Sequence, residues 1–149
     1  MYAQTCKSGP IFRMKGHAVH FTRVEGATYD ALAAGDCAIV ASGTATVEAS
    51  LLGTPMVVIY RVTPASAFVL RRMIRTPFIG MVNLIAGKQV VPELIQEQFT
   101  STAVAREVRR LLLSSEARDV MRVELAKVSA KLGPGGAIER AADIFAGML

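Results

Sequence analysis

The sequence has no tryptophan and only nine other aromatic residues in 149. Stacking on successive bases is therefore not expected as its main mode of binding. Its two cysteines, Cys6 and Cys37, make neither a disulfide framework nor a zinc pattern. Cys37 sits in an apolar run and reads as a small buried residue, so a reducing, cytoplasmic setting is expected. Long apolar runs are missing as well. Segments such as Met56-Val57-Val58-Ile59-Tyr60 have strand length, far short of a membrane span, and the first residues lack a signal core. His17 and His20 have no Cys or carboxylate at ligand spacing, and no Ser-His-Asp or Cys-His arrangement stands out. Neither a metal nor a cofactor is expected.

What is present is a globular composition, 52% hydrophobic and 19% charged, long enough for one domain with a sizeable core. The net charge of +5 favours anionic partners such as nucleotides or phospholipid surfaces. The basic residues form no continuous run, so nucleic acid is not expected.

Residues 1–16 read as an irregular segment, with Gly9-Pro10 and Gly16 as breakers. Residues 17–149 read as one domain. A strand is expected over His17 to Val24, then a helix over Thr28 to Ala34 ended by Gly35. Cys37 to Ala41 is nearly all apolar, as a strand covered on both faces should be. A helix is expected from Ser42-Gly43-Thr44 through Leu52, with Gly53 as its stop, and a strand over Met56 to Tyr60. Alternation of strand and helix argues for a parallel sheet with crossover helices. Thr63-Pro64 opens a further expected helix to about Arg75, and Phe78 to Val82 a short strand. The rest is helical by spacing: Val104, Val108, Leu111 and Leu112; Met121, Leu125, Val128 and Leu132; and Ile138, Ala141, Ala142 and Phe145 after an interhelix turn at Gly133-Pro134-Gly135-Gly136.

The segment Ala41-Ser42-Gly43-Thr44-Ala45-Thr46-Val47-Glu48 carries the strongest chemical signal. A buried strand delivers the chain to a glycine turn where a helix begins, and free N–H groups at a helix start attract anions. Gly43 lets the backbone approach a phosphate, and Ser42, Thr44 and Thr46 offer hydroxyls. Glu48 lies one turn beyond Thr44 on the same face, placed to accept bonds from ribose hydroxyls. The plainer reading is a capped helix, with Ser42 or Thr44 as cap and Glu48 on the surface. The segment is neither a P-loop nor a GxGxxG fingerprint.

Three further sets of residues stand out. Phe68, Arg71, Arg72 and Arg75 share an apolar, arginine-rich helix that fits either an anionic bilayer surface or a core-packed helix with arginines reaching outward. Asn83 is a lone amide among apolar residues, so it either caps a helix or binds something. Glu93 and Gln96 are expected on one helix face, with Pro92 and Glu93 as ordinary helix-start residues.

Several blocks together resemble one family. They are Tyr29 to Ala34; Ala41 to Ala49; Leu52-Gly53-Thr54-Pro55 through Arg61; Val82-Asn83-Leu84-Ile85-Ala86-Gly87; Val91-Pro92-Glu93-Leu94-Ile95-Gln96; and Gly133-Pro134-Gly135-Gly136-Ala137. From about residue 20 onward the chain resembles the C-terminal half of the lipid-A-disaccharide synthases. The resemblance implies an α/β fold: the Rossmann-like C-terminal domain of a GT-B glycosyltransferase, a parallel sheet flanked by helices with a helical C-terminal region. The implied enzyme transfers diacylglucosamine from UDP-2,3-diacylglucosamine to 2,3-diacylglucosamine 1-phosphate, forming the lipid A disaccharide and releasing UDP.

By carry-over, Ser42, Gly43, Thr44 and Ala45 contact the donor diphosphate and Glu48 the ribose, while Asn83, Glu93 and Gln96 line the donor pocket. No metal is implied. Phe68, Arg71, Arg72 and Arg75 become candidates for facing the lipid of the bacterial inner membrane, where the enzyme would sit peripherally on the cytoplasmic side. A complete enzyme is roughly two domains of this size. The acceptor-binding N-terminal domain, with the catalytic residues expected there, is thus a missing partner, and the chain alone is expected to be inactive. A homo-oligomer stays open. Two alternatives remain: half of another GT-B UDP-N-acetylglucosamine transferase or epimerase, and a non-catalytic nucleotide-binding or membrane-docking module.

Overall fold

The computed structural model describes residues 7–8, 12–14, 17–19, 22–63, 76–133 and 135–148. Strands β5 (Ala38–Ala41), β6 (Met56–Tyr60) and β7 (Glu93–Ile95) form one parallel sheet in the order β5-β6-β7. Ala38 pairs with Met56 and Tyr60 with Ile95. The helices are α1 (Thr28–Ala34), α2 (Thr44–Leu51), α3 (Met81–Ala86), α4 (Ser101–Leu113), α5 (Ser115–Lys131) and α6 (Ala137–Ala146). The α/β class, the parallel sheet flanked by helices and the helical C-terminal region are those read from the sequence.

Sequence pattern explains most boundaries. The central strand β6 is MVVIY, β-branched and apolar, and Met56, Val57 and Val58 are buried, as expected of a strand with a neighbour on each side. Helix α2 packs against β5, α4 against β6, and α5 against α2, α3 and α4. The stripe Met121, Leu125 and Val128 of α5 is buried, as its helical spacing requires. Hydroxyl caps begin two helices: the Thr100 side chain accepts the N–H of Ala103, and that of Ser114 the N–H of Ala117. Helix α2 ends as expected, with Gly53 at φ 67° just past its last turn.

Several expectations are corrected. His17 to Val24 is not one strand of the sheet. β3 (His17–Val19) and β4 (Thr22–Arg23) each pair antiparallel, β3 with β2 (Phe12–Met14) and β4 with β1 (Lys7–Ser8). Short strands therefore also lie within residues 1–16, which read as irregular. Strand β5, at the edge of the sheet among the described residues, is covered on one face only: Val40 is buried while Ile39, on the opposite face, is 52% exposed. Phe78 to Val82 is no strand; its last two residues open α3. Pro92 and Glu93 start no helix, since Glu93 to Ile95 joins the sheet beside β6. Of the α6 stripe, Ala141, Ala142 and Phe145 lie open, the last 69% exposed. The expected helix from Pro64 to Arg75, with Phe68, Arg71, Arg72 and Arg75, lies outside the described residues.

Candidate functional site

The sheet brings the carboxyl ends of its strands together, where open α/β sheets bind ligands. At the end of β5 the chain turns through Ser42 and Gly43 into α2. Gly43 has φ 149° and ψ −161°, a conformation close to closed to residues with a Cβ. A Cβ there would meet nothing within 4 Å, so conformation rather than crowding calls for glycine.

The start of α2 has no side-chain cap. Ser42 is not the cap, because its hydroxyl donates to the carbonyl of Ile79 at 3.2 Å. Thr46 is buried, and its hydroxyl donates back to Gly43 O at 2.7 Å. Among the described residues no acceptor meets the N–H groups of Thr44 and Ala45, and both residues are exposed. Helices α1 and α6 also lack side-chain caps. What sets α2 apart is its place at the carboxyl end of a parallel strand, with a glycine turn before it. Glu48 is half-buried one turn along, and no group among the described residues bonds its carboxylate. These features make an anion-accepting helix start with a free carboxylate beside it.

Asn83 is fully buried within α3. It neither caps a helix nor has an open position left. Its Oδ1 accepts the N–H groups of Val90 and Val91 at 2.7 and 3.0 Å, and its Nδ2 donates to Val91 O and to Glu93 Oε1 at 2.8 and 2.6 Å. Glu93 also accepts from the backbone just before α3: Ile79 N reaches Oε2 at 2.9 Å and Gly80 N reaches Oε1 at 3.1 Å. A Cβ on Gly80 would lie 2.9 Å from Glu93 Oε1, so any other residue there would have to displace that carboxylate.

Gln96 grips the exit of β6. Its Oε1 accepts Val62 N at 2.9 Å and its Nε2 donates to Val62 O at 3.3 Å. Its backbone takes φ 51°, uncommon for a residue with a Cβ. The Arg61 guanidinium donates to Phe99 O and Gln96 O and lies over the Phe99 ring. Ile79, Gly80, Arg61 and Val62 were not assigned to the site from the sequence, although Arg61 closes one of the blocks that carry the resemblance.

A cavity of about 690 Å³ lies between residues 89–100 and α4, with Glu93 on its wall. It does not include the Ser42 turn, and Glu107 on its wall already pairs with Arg106 and Arg110. Burial pushes the Cys37 thiol up, against the opposing pull of Arg110 and Arg118, so it stays protonated at neutral pH and is no ready nucleophile. No three metal-ligating side chains gather among the described residues. None of the described helices is long and apolar enough to cross a membrane.

Fold and site together define an α/β domain with a glycine turn and an uncapped helix start at the carboxyl end of a parallel strand. The chain belongs to the lipid-A-disaccharide synthetase family, whose model matches residues 11–142. It is 52% identical over 120 residues to the lipid-A-disaccharide synthase of Solibacter usitatus, covering 80% of this chain and 32% of that protein. It is 48% identical over 119 residues to that of Syntrophus aciditrophicus, covering 80% and 31%. The synthase of Myxococcus xanthus matches at 42% over 131 residues, covering 88% and 34%. The chain thus spans about a third of the length of the curated relatives it matches, a smaller share than the half its sequence implied.

Proposed function

We propose that this chain is the donor-nucleotide part of a glycosyltransferase. The whole enzyme would transfer diacylglucosamine from UDP-2,3-diacylglucosamine to 2,3-diacylglucosamine 1-phosphate and release UDP. The supporting observation is the bare start of α2: among the described residues, the Thr44 and Ala45 N–H groups are unanswered and the half-buried Glu48 beside them has no partner. In this reading the diphosphate sits on the turn from Ser42 to Ala45 and the ribose on Glu48. As the glycosidic bond to the donor breaks, negative charge grows on the departing diphosphate. Fixed N–H dipoles at the helix start stabilise that charge without having to reorganise.

The acceptor, the catalytic residues and the remaining two thirds of the relatives' length belong to the partner side of this proposal. So does a peripheral position on the cytoplasmic face of the inner membrane, for which Phe68, Arg71, Arg72 and Arg75 are the candidate contacts. A net charge of +5 suits both an anionic donor and an anionic bilayer.

The test is a calorimetric titration of UDP into the chain and into Glu48→Ala. Saturable binding by the chain, weakened about tenfold or more by loss of a carboxylate–hydroxyl bond, is the result expected. A folded chain that takes up no UDP contradicts the proposal.

A further inference from the structure

Glu93 and Ser42 hold opposite ends of one peptide unit. The N–H of Gly80 donates to the Glu93 carboxylate at 3.1 Å, while the carbonyl of Ile79, in the same peptide group, accepts the Ser42 hydroxyl at 3.2 Å. The peptide group is planar and stiff, so turning either end turns the other. A carboxylate drawing on the N–H also polarises the carbonyl and strengthens it as an acceptor. The carboxylate itself is fixed from three sides. Ile79 N holds Oε2, Gly80 N and Asn83 Nδ2 hold Oε1, and Asn83 is locked in turn by Val90 and Val91.

From this geometry we infer that Glu93 is a positioning residue for the phosphate turn, acting through the Ile79–Gly80 peptide on Ser42. Ser42 then tethers the turn. Its one hydroxyl proton is committed to Ile79, which leaves anion binding to the backbone N–H groups of Thr44 and Ala45. Gly80 is part of the device, since any Cβ would press on Oε1 of Glu93. The inference rests on the donor-site reading for its ligand but not for its geometry.

A double-mutant cycle tests it, with UDP affinity measured for the chain, Ser42→Ala, Glu93→Gln and the double variant. In Glu93→Gln an amide N–H₂ must face one of the backbone N–H groups. Each single variant is expected to bind about tenfold more weakly, and the double variant no more weakly than either single one. Effects that multiply in the double variant would overturn the relay, because Ser42 would then act independently of Glu93. Gly80→Ala keeps the charge and displaces the carboxylate. It serves if Glu93→Gln does not fold, and its effect should likewise vanish in the Ser42→Ala background.

A second readout needs no ligand. In amide NMR spectra Glu93→Gln should move the Gly43 and Thr44 resonances, and this movement should be absent when Ser42 is already alanine. If the chain binds no UDP, the donor-site reading fails, and these resonances still decide the relay. Resonances that Glu93→Gln leaves in place would refute it.

Discussion

The thioether of Met121 accepts the backbone N–H of Met56 at 3.3 Å in the buried heart of the molecule. Leucine matches methionine in volume, so Met121→Leu would ordinarily be mild. Here it also strands a buried donor. It should cost about 1–3 kcal/mol in urea denaturation, and a neutral outcome would mean that the sulfur contact contributes nothing.

Glu124 makes a different case at the surface. Hydrogen bonds from Lys127 and Lys88, each at 2.6 Å, hold its carboxyl down at about 2, below the ordinary 4.5. A depressed acid contributes stability above its unfolded value and loses it as pH falls through the folded one. The chain should therefore lose melting temperature between about pH 4.5 and pH 2 more steeply than Glu124→Gln. Parallel pH profiles for the two proteins would contradict this.

Single residues were legible in the sequence to an uneven degree. Asn83 stood out as a lone amide among apolar neighbours, and a buried, fully bonded amide is what such isolation demands. Its partners, Val90, Val91 and Glu93, could not be read, because a loop must fold back to bring them to α3.

At the scale of elements, helix α2 and strand β6 were readable to within a residue. Gly53 stops α2, and the β-branched core of β6 leaves little choice. The two reversals, at Phe78 to Val82 and Glu93 to Ile95, share a cause. Each is a short segment whose local pattern suits more than one state, and the sheet decides between them. The ladder to β6 fixes the second: Val58 N donates to Pro92 O at 2.9 Å, which draws Glu93 to Ile95 into a strand despite a helix-like start. The turn before α2 makes its own prediction. Gly43→Ala forces φ 149° on a residue with a Cβ, so it should cost about 1–3 kcal/mol or relax the turn and weaken UDP binding. Unchanged stability together with unchanged affinity would contradict the glycine requirement.

For the whole molecule, the composition anticipated a sizeable apolar core, and among the described residues one runs from Val40 and the β6 residues to Leu111 and Val128. What composition could not show is where that core stops. Ile39 on the edge strand, and Ile144, Phe145 and Met148 around α6, remain largely exposed, and the family relatives extend well beyond this chain. Burial of such groups depends on neighbours that no local pattern encodes. The turn before α2 is different: strand, glycine and helix start are contiguous in sequence, and this is why the turn was legible before the fold.

Backbone binding of the diphosphate can be tested with proline. Thr44 is the first residue of α2, a position that accepts proline because its N–H has no place in the helix ladder. Uridine and UDP would be titrated into the chain, into Thr44→Ala and into Thr44→Pro. If the helix start holds the diphosphate, Thr44→Ala binds UDP nearly as the chain does. Thr44→Pro, lacking one charge-assisted N–H bond, binds it about tenfold or more weakly, while uridine affinity is the same for all three. Equal UDP affinity in folded Thr44→Pro and Thr44→Ala would contradict a phosphate site at the start of α2.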